Sequence, residues 1–445
     1  MLDSAYEYEY NLRKKGAYQN PIIVIPGILG SNIIESTNEN PLWGDFSRSL
    51  VSTKADEHLR LISLPMELGK TLDQLQGLST ADGSLLYIRG KIAGMPVRIN
   101  TYASMMTAMG VGGEGAGGTL KKLDDYIDDN RHQANAFEFD YDWRRSIDEN
   151  AIRLGNYIQQ VTRFVQLQRG SHDPVKFDIV AHSMGGLIAR YYLQYGAQLI
   201  PAGADLPIPN WSGSAQVERV VLIGPPNGGS LFALERLIVG IPKNPITPRY
   251  DPVVLGTLPS VYQLLPRVRH KTFFRNDTND ESTDFFQTGH WVDMSWGLTD
   301  RRKSRLLAML LPGVGSPAIR RDTALDHLEK CLAISCKLHR ALDQVSAQPA
   351  HLQMYLFVGD ATLTPLIAMA KKGDKKLTVI KKGAGDGTVP RSSVLLDERV
   401  GGKWKPKVSS PLEWNNIQFL SSSHLRLTRD PICIKNILYI LLERP

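Results

Sequence analysis

Of the 445 residues, 42% are hydrophobic and 22% charged, a balance that excludes a disordered or fibrous chain and allows a large buried core. The net charge is +7, and the one lysine-rich run lacks the interleaved aromatics of a nucleic-acid surface, so no nucleic-acid partner is expected. Three cysteines (Cys331, Cys336, Cys433) are too few for a disulfide framework and point to a reducing compartment.

The opening MLDSAYEYEYNLRKKGAYQN holds no apolar segment of signal-peptide length, and no later run is long and apolar enough to span a bilayer. The expected location is cytoplasmic, or exported by a route without a cleaved Sec leader. The first strand-like run, IIVI (22–25), stops at Pro26-Gly27. Trp43, in NPLWGDF, reads as a core tryptophan rather than part of a flap. The run GVGGEGAGG (110–118) formally matches the dinucleotide fingerprint, but that chemistry needs a strand feeding the turn, and TYASMMTAM makes a poor one. A loop is expected there, and no cofactor.

Further apolar, β-branched runs follow at AFEF (136–139), VKFDIV (175–180), VERVVLI (217–223), MYLFV (354–358) and IQFL (417–420). Helical periodicity lies between several of them. Residues 147–169 place Ile147, Ile152, Leu154, Ile158, Val161 and Val165 mostly on one stripe, and 184–195 do the same with Leu187, Ile188, Tyr191 and Tyr195. Alternating strands and helices predict an α/β fold: a mainly parallel sheet with helices on both faces. The stretch 230–345 breaks the rhythm and reads as an inserted cap, which leaves 1–229 and 346–445 as the two parts of the core. Its apolar residues Leu231, Leu237, Ile238, Val239 and Ile241 suit an acyl groove or a membrane, but packing onto the sheet explains them at least as well. The helix at 323–343 carries His327, Cys331, Cys336 and His339 in no zinc-module spacing, so no metal is expected. KKGDKKLTVIKK (371–382) reads first as a solvated hairpin rim. If the protein works at a membrane, this segment and the cap are the surfaces expected to meet it.

The chemistry concentrates in DIVAHSMGGLIARYYL (178–193), a strand-like run that turns helical within a few residues. A serine hydroxyl must be exposed, aimed and paired with a base to act as a nucleophile. A cramped strand-to-helix turn does the aiming, and small neighbours permit it. Ala181-His182-Ser183-Met184-Gly185 departs from Gly-x-Ser-x-Gly only at Ala181. His182 is expected to pack or hydrogen-bond on the turn rather than act as the base, because adjacent side chains point apart. Triads on this fold run serine, acid, histidine, and the single histidine after residue 360 is His424. Two acids are candidates: Asp360 directly follows a strand, and Asp386 sits in the turn GAGDGTVP. The backbone N–H groups of Met184 and Ile28 are the candidate oxyanion donors, one after the nucleophile and one from the early Pro-Gly turn.

Several segments in this order are similar to the lecithin:cholesterol acyltransferase family, which includes lysosomal phospholipase A2 and phospholipid:diacylglycerol acyltransferases. VIPGILGS resembles its oxyanion turn, YDWR (141–144) its Tyr-Asp-Trp-Arg segment, and AHSMGG its serine elbow. GPPNGGS (224–230) resembles its Pro-x-Gly-Gly turn, LPSVYQLLP (258–266) a cap segment, and GDGTVP with the later histidine its acid and base positions. The resemblance implies an α/β-hydrolase core, an inserted cap with a lid, a lipid substrate and acyl-ester chemistry through an acyl-serine. It also favours Asp386 over Asp360 as the acid. Ala181, the missing leader and the missing lid disulfide are departures.

The expected function is a serine-dependent lipase or phospholipase acting on long-chain acyl esters through Ser183, Asp386 and His424. The alternatives are a lipid O-acyltransferase, a non-catalytic lipid-binding protein on the same fold, and a nucleotide-dependent enzyme using the 110–118 loop.

Overall fold

A computed structural model describes residues 19–47, 55–92, 95–111, 134–203, 205–277, 283–397, 410 and 412–443. The opening eighteen residues, and the glycine run from 112 onward, lie outside the described residues.

Among the described residues, six strands form the central sheet: β1 (Ile22–Ile25), β2 (Ala136–Glu138), β3 (Phe177–His182), β4 (Val217–Ile223), β5 (Gln353–Gly359) and β6 (Asn416–Leu420). Their order is β6-β5-β4-β3-β1-β2, and every neighbouring pair is parallel. The apolar runs read from the sequence become these strands because a sheet covered on both faces buries every residue of a strand. In β1 and β3 all residues are buried. Parallel pairing puts the carboxyl ends of all six at one edge, where open α/β sheets bind ligands. Ile25 lies in register with Ala181, so the turn after β1 and the residue after β3 emerge side by side.

Two helices flank the key strand. α1 (Ile147–Arg169) starts at a capping box between Ser146 and Glu149 and ends at Gly170 in the left-handed region. It buries Ile147, Leu154, Ile158, Val161 and Val165, the stripe expected, while Ile152 is half-buried. α2 (Met184–Tyr195) is buried all round, including its only charged residue, Arg190. The two terminal nitrogens of Arg190 donate to Asn227 Oδ1 at 2.9 Å and to the Leu342 carbonyl at 2.7 Å. Asn227 belongs to the GPPNGGS turn, which therefore braces α2.

Residues 230–345 form several short helices and the long helix Pro317–Leu342. Leu231, Leu237 and Ile238 pack in the same core cluster as the sheet, and Val239 and Ile241 lean on it. One strand of this stretch, Phe273–Arg275, pairs with Thr362–Ala370, which pairs in turn with Thr378–Gly385. The sheet thus crosses the boundary expected at residue 345. The long helix buries His327 and His339, whose Nε2 atoms meet the carbonyls of Thr257 and Gln263 at 3.0 and 2.9 Å. Burial lowers the pKa of both, to about 4 for His327, so they are neutral structural side chains. All three cysteines are free, and no group of three metal-ligating side chains converges among the described residues. Among those residues no helix is long and apolar enough to cross a membrane.

Candidate active site

Ser183 occupies the step between β3 and α2 with φ 53° and ψ −126°. A residue with a Cβ at that φ costs about 1–3 kcal/mol, a strain held in place by its surroundings. Gly185 shows how tight the step is: a Cβ there would lie 2.4 Å from the Pro26 carbonyl oxygen and 2.8 Å from Ile25. Gly186 would meet Pro225 at 2.9 Å. The two glycines after the serine are therefore required by backbone approach. Ala181 is fully buried in the core cluster, which its single methyl group helps to fill.

His424 and Asp386 reach this point from distant elements. His424 lies on the loop after β6, its backbone N–H bonded to the Asp386 carbonyl at 2.9 Å. Its Nε2 stands 2.8 Å from Ser183 Oγ, and its Nδ1 2.7 Å from Asp386 Oδ2. A carboxylate only accepts, so Nδ1 carries the imidazole proton and Nε2 offers its lone pair to the serine hydroxyl. The other Asp386 oxygen accepts the N–H groups of Thr388 and Val389 at 2.9 and 2.7 Å. Both oxygens are thereby held, and the side chain has one orientation. Asp386 is buried against Gly359 at the end of β5, where a Cβ would approach it to 2.7 Å.

Asp360 lies one residue beyond β5, but its carboxylate pairs with Arg391 at 3.4 Å, and the acid on the imidazole is Asp386. The hairpin Thr362–Gly385 leaves the sheet at β5 and returns the chain to the same edge, so residue 386 takes the place that simple topology would give to 360. Gly387 N–H on Thr364 Oγ1 at 2.8 Å and Ser230 Oγ on the Thr388 carbonyl fix that return.

The Pro26–Gly30 turn stands against the serine. A Cβ on Gly27 would come within 2.8 Å of Ser183 Cβ. Gly30 N–H closes the turn on the Gly27 carbonyl at 3.0 Å, with Leu29 at φ 63°. Neighbouring aromatics hold it: Tyr141 Oη donates to the Pro26 carbonyl at 2.9 Å, Trp43 Nε1 to Leu29 O at 2.9 Å and Trp143 Nε1 to Ser31 O at 3.1 Å. Trp43 is thus a core residue with a defined bond. The YDWR motif supplies two of these donors, and its Asp142–Arg144 pair, 2.7 Å apart and buried, anchors the segment. Sequence reasoning recognised the motif without seeing its task. It also missed Tyr102, whose hydroxyl meets Gly27 N–H and His182 Nδ1, each at 2.7 Å. No local pattern marked that tyrosine. Met184, as the first residue of α2, has an N–H with no acceptor within the helix, and that helix end favours negative charge.

A parallel sheet clad in helices, with a serine on a strained strand-to-helix step and an acid–imidazole pair delivered by later loops, has the architecture of the α/β-hydrolase fold. The family model for lecithin:cholesterol acyltransferase matches residues 120–300 of the 445. The chain is similar to the uncharacterized protein YJR098C of Saccharomyces cerevisiae, 25% identical over 202 residues, which are 45% of this chain and 25% of that protein. The match therefore spans about a quarter of that curated relative's length. Among solved structures, that of the Tle4–Tli4 complex is similar in fold, with a TM-score of 0.57 and 15% identity over 95% of this chain and 98% of that one. Lipase 1 from Pelosinus fermentans aligns more loosely, with a TM-score of 0.35 and 12% identity over 96% and 99% of the two chains.

Proposed function

We propose that the protein is a serine hydrolase of long-chain acyl esters that works through an acyl-serine. The observation that carries this reading is the unbroken hydrogen-bond chain Asp386–His424–Ser183 ending on a strained elbow. His424 Nε2 takes the proton as Ser183 Oγ attacks the ester carbonyl carbon. Asp386 holds the imidazole and stabilises its cation without itself taking the proton. The N–H groups of Ile28 and Met184 receive the developing oxyanion, and the α2 N-terminus adds to that field. Collapse of the tetrahedral intermediate breaks the bond to the alcohol, which leaves with the proton from His424. Water, deprotonated by the same imidazole, then releases the fatty acid and restores Ser183.

If a lipid alcohol meets the acyl-serine before water does, the same atoms carry out acyl transfer, so hydrolase and acyltransferase differ only in the acceptor. The match of residues 120–300 to an acyltransferase family model supports this second reading. We assign the substrate to the glycerolipid class, with the basic rim 371–382 and the exposed cap residue Phe232 as the surfaces that would meet a membrane. A fluorophosphonate probe tests the chemistry: the wild type should be labelled and Ser183→Ala should not. Incubation with mixed lipids, with and without an acceptor alcohol, followed by mass analysis separates the two acceptors. An unlabelled wild type would leave a non-catalytic lipid-binding protein as the better reading.

A further inference from the structure

Two buried side chains outside the triad join its opposite sides. Tyr102 precedes the helix Ala103–Ala108, and His182 is the last residue of β3. Their bonds run from Gly27 N to Tyr102 Oη (2.7 Å), from Tyr102 Oη to His182 Nδ1 (2.7 Å) and from His182 Nε2 to the His424 carbonyl oxygen (3.1 Å). The direction of each bond follows from the two ends, since an amide N–H only donates and a carbonyl only accepts. Gly27 therefore donates to the phenol oxygen, the phenol proton goes to His182 Nδ1, and His182 keeps its own proton on Nε2 for the His424 carbonyl. One neutral tautomer of His182 satisfies every group, and no other does.

Burial, and then the neighbouring His424, hold His182 well below the ordinary histidine range, while burial pushes the Tyr102 phenol up. The relay stays neutral while a catalytic imidazole beside it gains and loses its proton. Its ends are well placed. Gly27 is the residue before the oxyanion donor Ile28, and the His424 carbonyl belongs to the base itself. The His182 ring also packs on the His424 ring, with centroids 4.7 Å apart. Between the two ends sits Ser183, whose Cβ lies so close to Gly27 that a methyl group there would not fit.

We propose that Tyr102 and His182 are positioning residues: together they hold the oxyanion turn and the histidine loop in register across Ser183, so that base and oxyanion donor are aligned as a unit. The inference rests on the reading of Ser183, His424 and Asp386 as a catalytic triad. Both side chains are buried. Their effect is to prevent the sub-ångström drift of two separately tethered loops, and a misplacement of about 1 Å can cost roughly 100-fold in rate.

The test uses the full chain, a short-chain chromogenic ester and a fluorophosphonate, with Ser183→Ala as the reference for the chemistry. Tyr102→Phe removes one hydroxyl from a buried site and is expected to fold, which its melting temperature checks. It should lower kcat and the labelling rate roughly 10- to 100-fold, leave KM within about twofold, and leave the acid limb of the pH profile in place. His182→Gln, whose side-chain amide can still donate to the His424 carbonyl, should retain more activity than His182→Leu. In the His182→Leu background, adding Tyr102→Phe should cost less than about a further twofold, because the relay is already broken. An unchanged kcat in Tyr102→Phe, losses that multiply in the double variant, or an effect confined to KM would each overturn the proposal while Ser183 labelling persists. Absence of labelling in the wild type would instead bring down the triad reading, and this inference with it.

Discussion

The two sides of the proposed catalytic apparatus are built in different ways. Ser183 sits between a fully buried strand and a fully buried helix, on glycines that allow no added atom, with its backbone strained. Asp386 and His424 ride on a hairpin return and a loop, fixed by hydrogen bonds to Thr388, Val389 and each other. Exposed Leu425 directly follows His424. The nucleophile is held by close packing, which tolerates little; the acid and base are held by directional bonds on segments that can otherwise vary. The difference suits the proposed tasks, in which the serine keeps a strained geometry and the imidazole moves a proton.

The largest expected effect tests the acid side. Asp386→Asn should lower kcat by about 10³–10⁴-fold, because the amide no longer fixes the imidazole tautomer. Asp360→Asn should cost less than about threefold, its carboxylate being spent on Arg391. Steady-state ester hydrolysis decides, and the reverse order would move the acid to the strand end.

The next effect concerns charge on the packed side. Glu138 ends β2, and its Oε2 accepts Ser84 N–H at 2.8 Å. Burial first, and then the nearby Asp140, push its carboxyl up to about 7. A raised pKa contributes stability that is fully present below the unfolded value near 4.3 and is lost as pH rises through about 7. Glu138→Gln should therefore be more stable than wild type at pH 8, by on the order of 3 kcal/mol, with the gap closing toward pH 4. Melting curves across that range would refute the assignment if the gap were independent of pH.

Packing itself comes third. Gly185→Ala should lose about 1–3 kcal/mol, because the new methyl group collides with the Pro26 carbonyl. Leu425→Ala, beside the histidine but exposed, should stay within about 0.5 kcal/mol. Equal losses in denaturant titrations would erase the contrast between the two sides. The smallest effect is expected from Ala181→Gly, which restores the commoner elbow residue yet should cost about 0.5–1 kcal/mol through lost strand order. A more stable variant would mean that the alanine is strained.

The sequence by itself determined the six strands of the sheet, both flanking helices and the serine elbow. Each is written in neighbouring residues: β-branched runs, a 3.6-residue stripe, and small residues where the chain must bend. His424 was legible because it is the last histidine in the chain. The tertiary structure decided which of Asp360 and Asp386 reaches His424, since the hairpin's return brings residue 386 onto the end of β5. It also decided the hydrogen-bond partners of Tyr102, His182, Trp43 and Tyr141, which lie far away in sequence. Local sterics and helix periodicity act over a few residues and leave a pattern in sequence. A hydrogen bond between residues 102 and 27, or 182 and 424, exists only after the chain has folded and has no periodic trace.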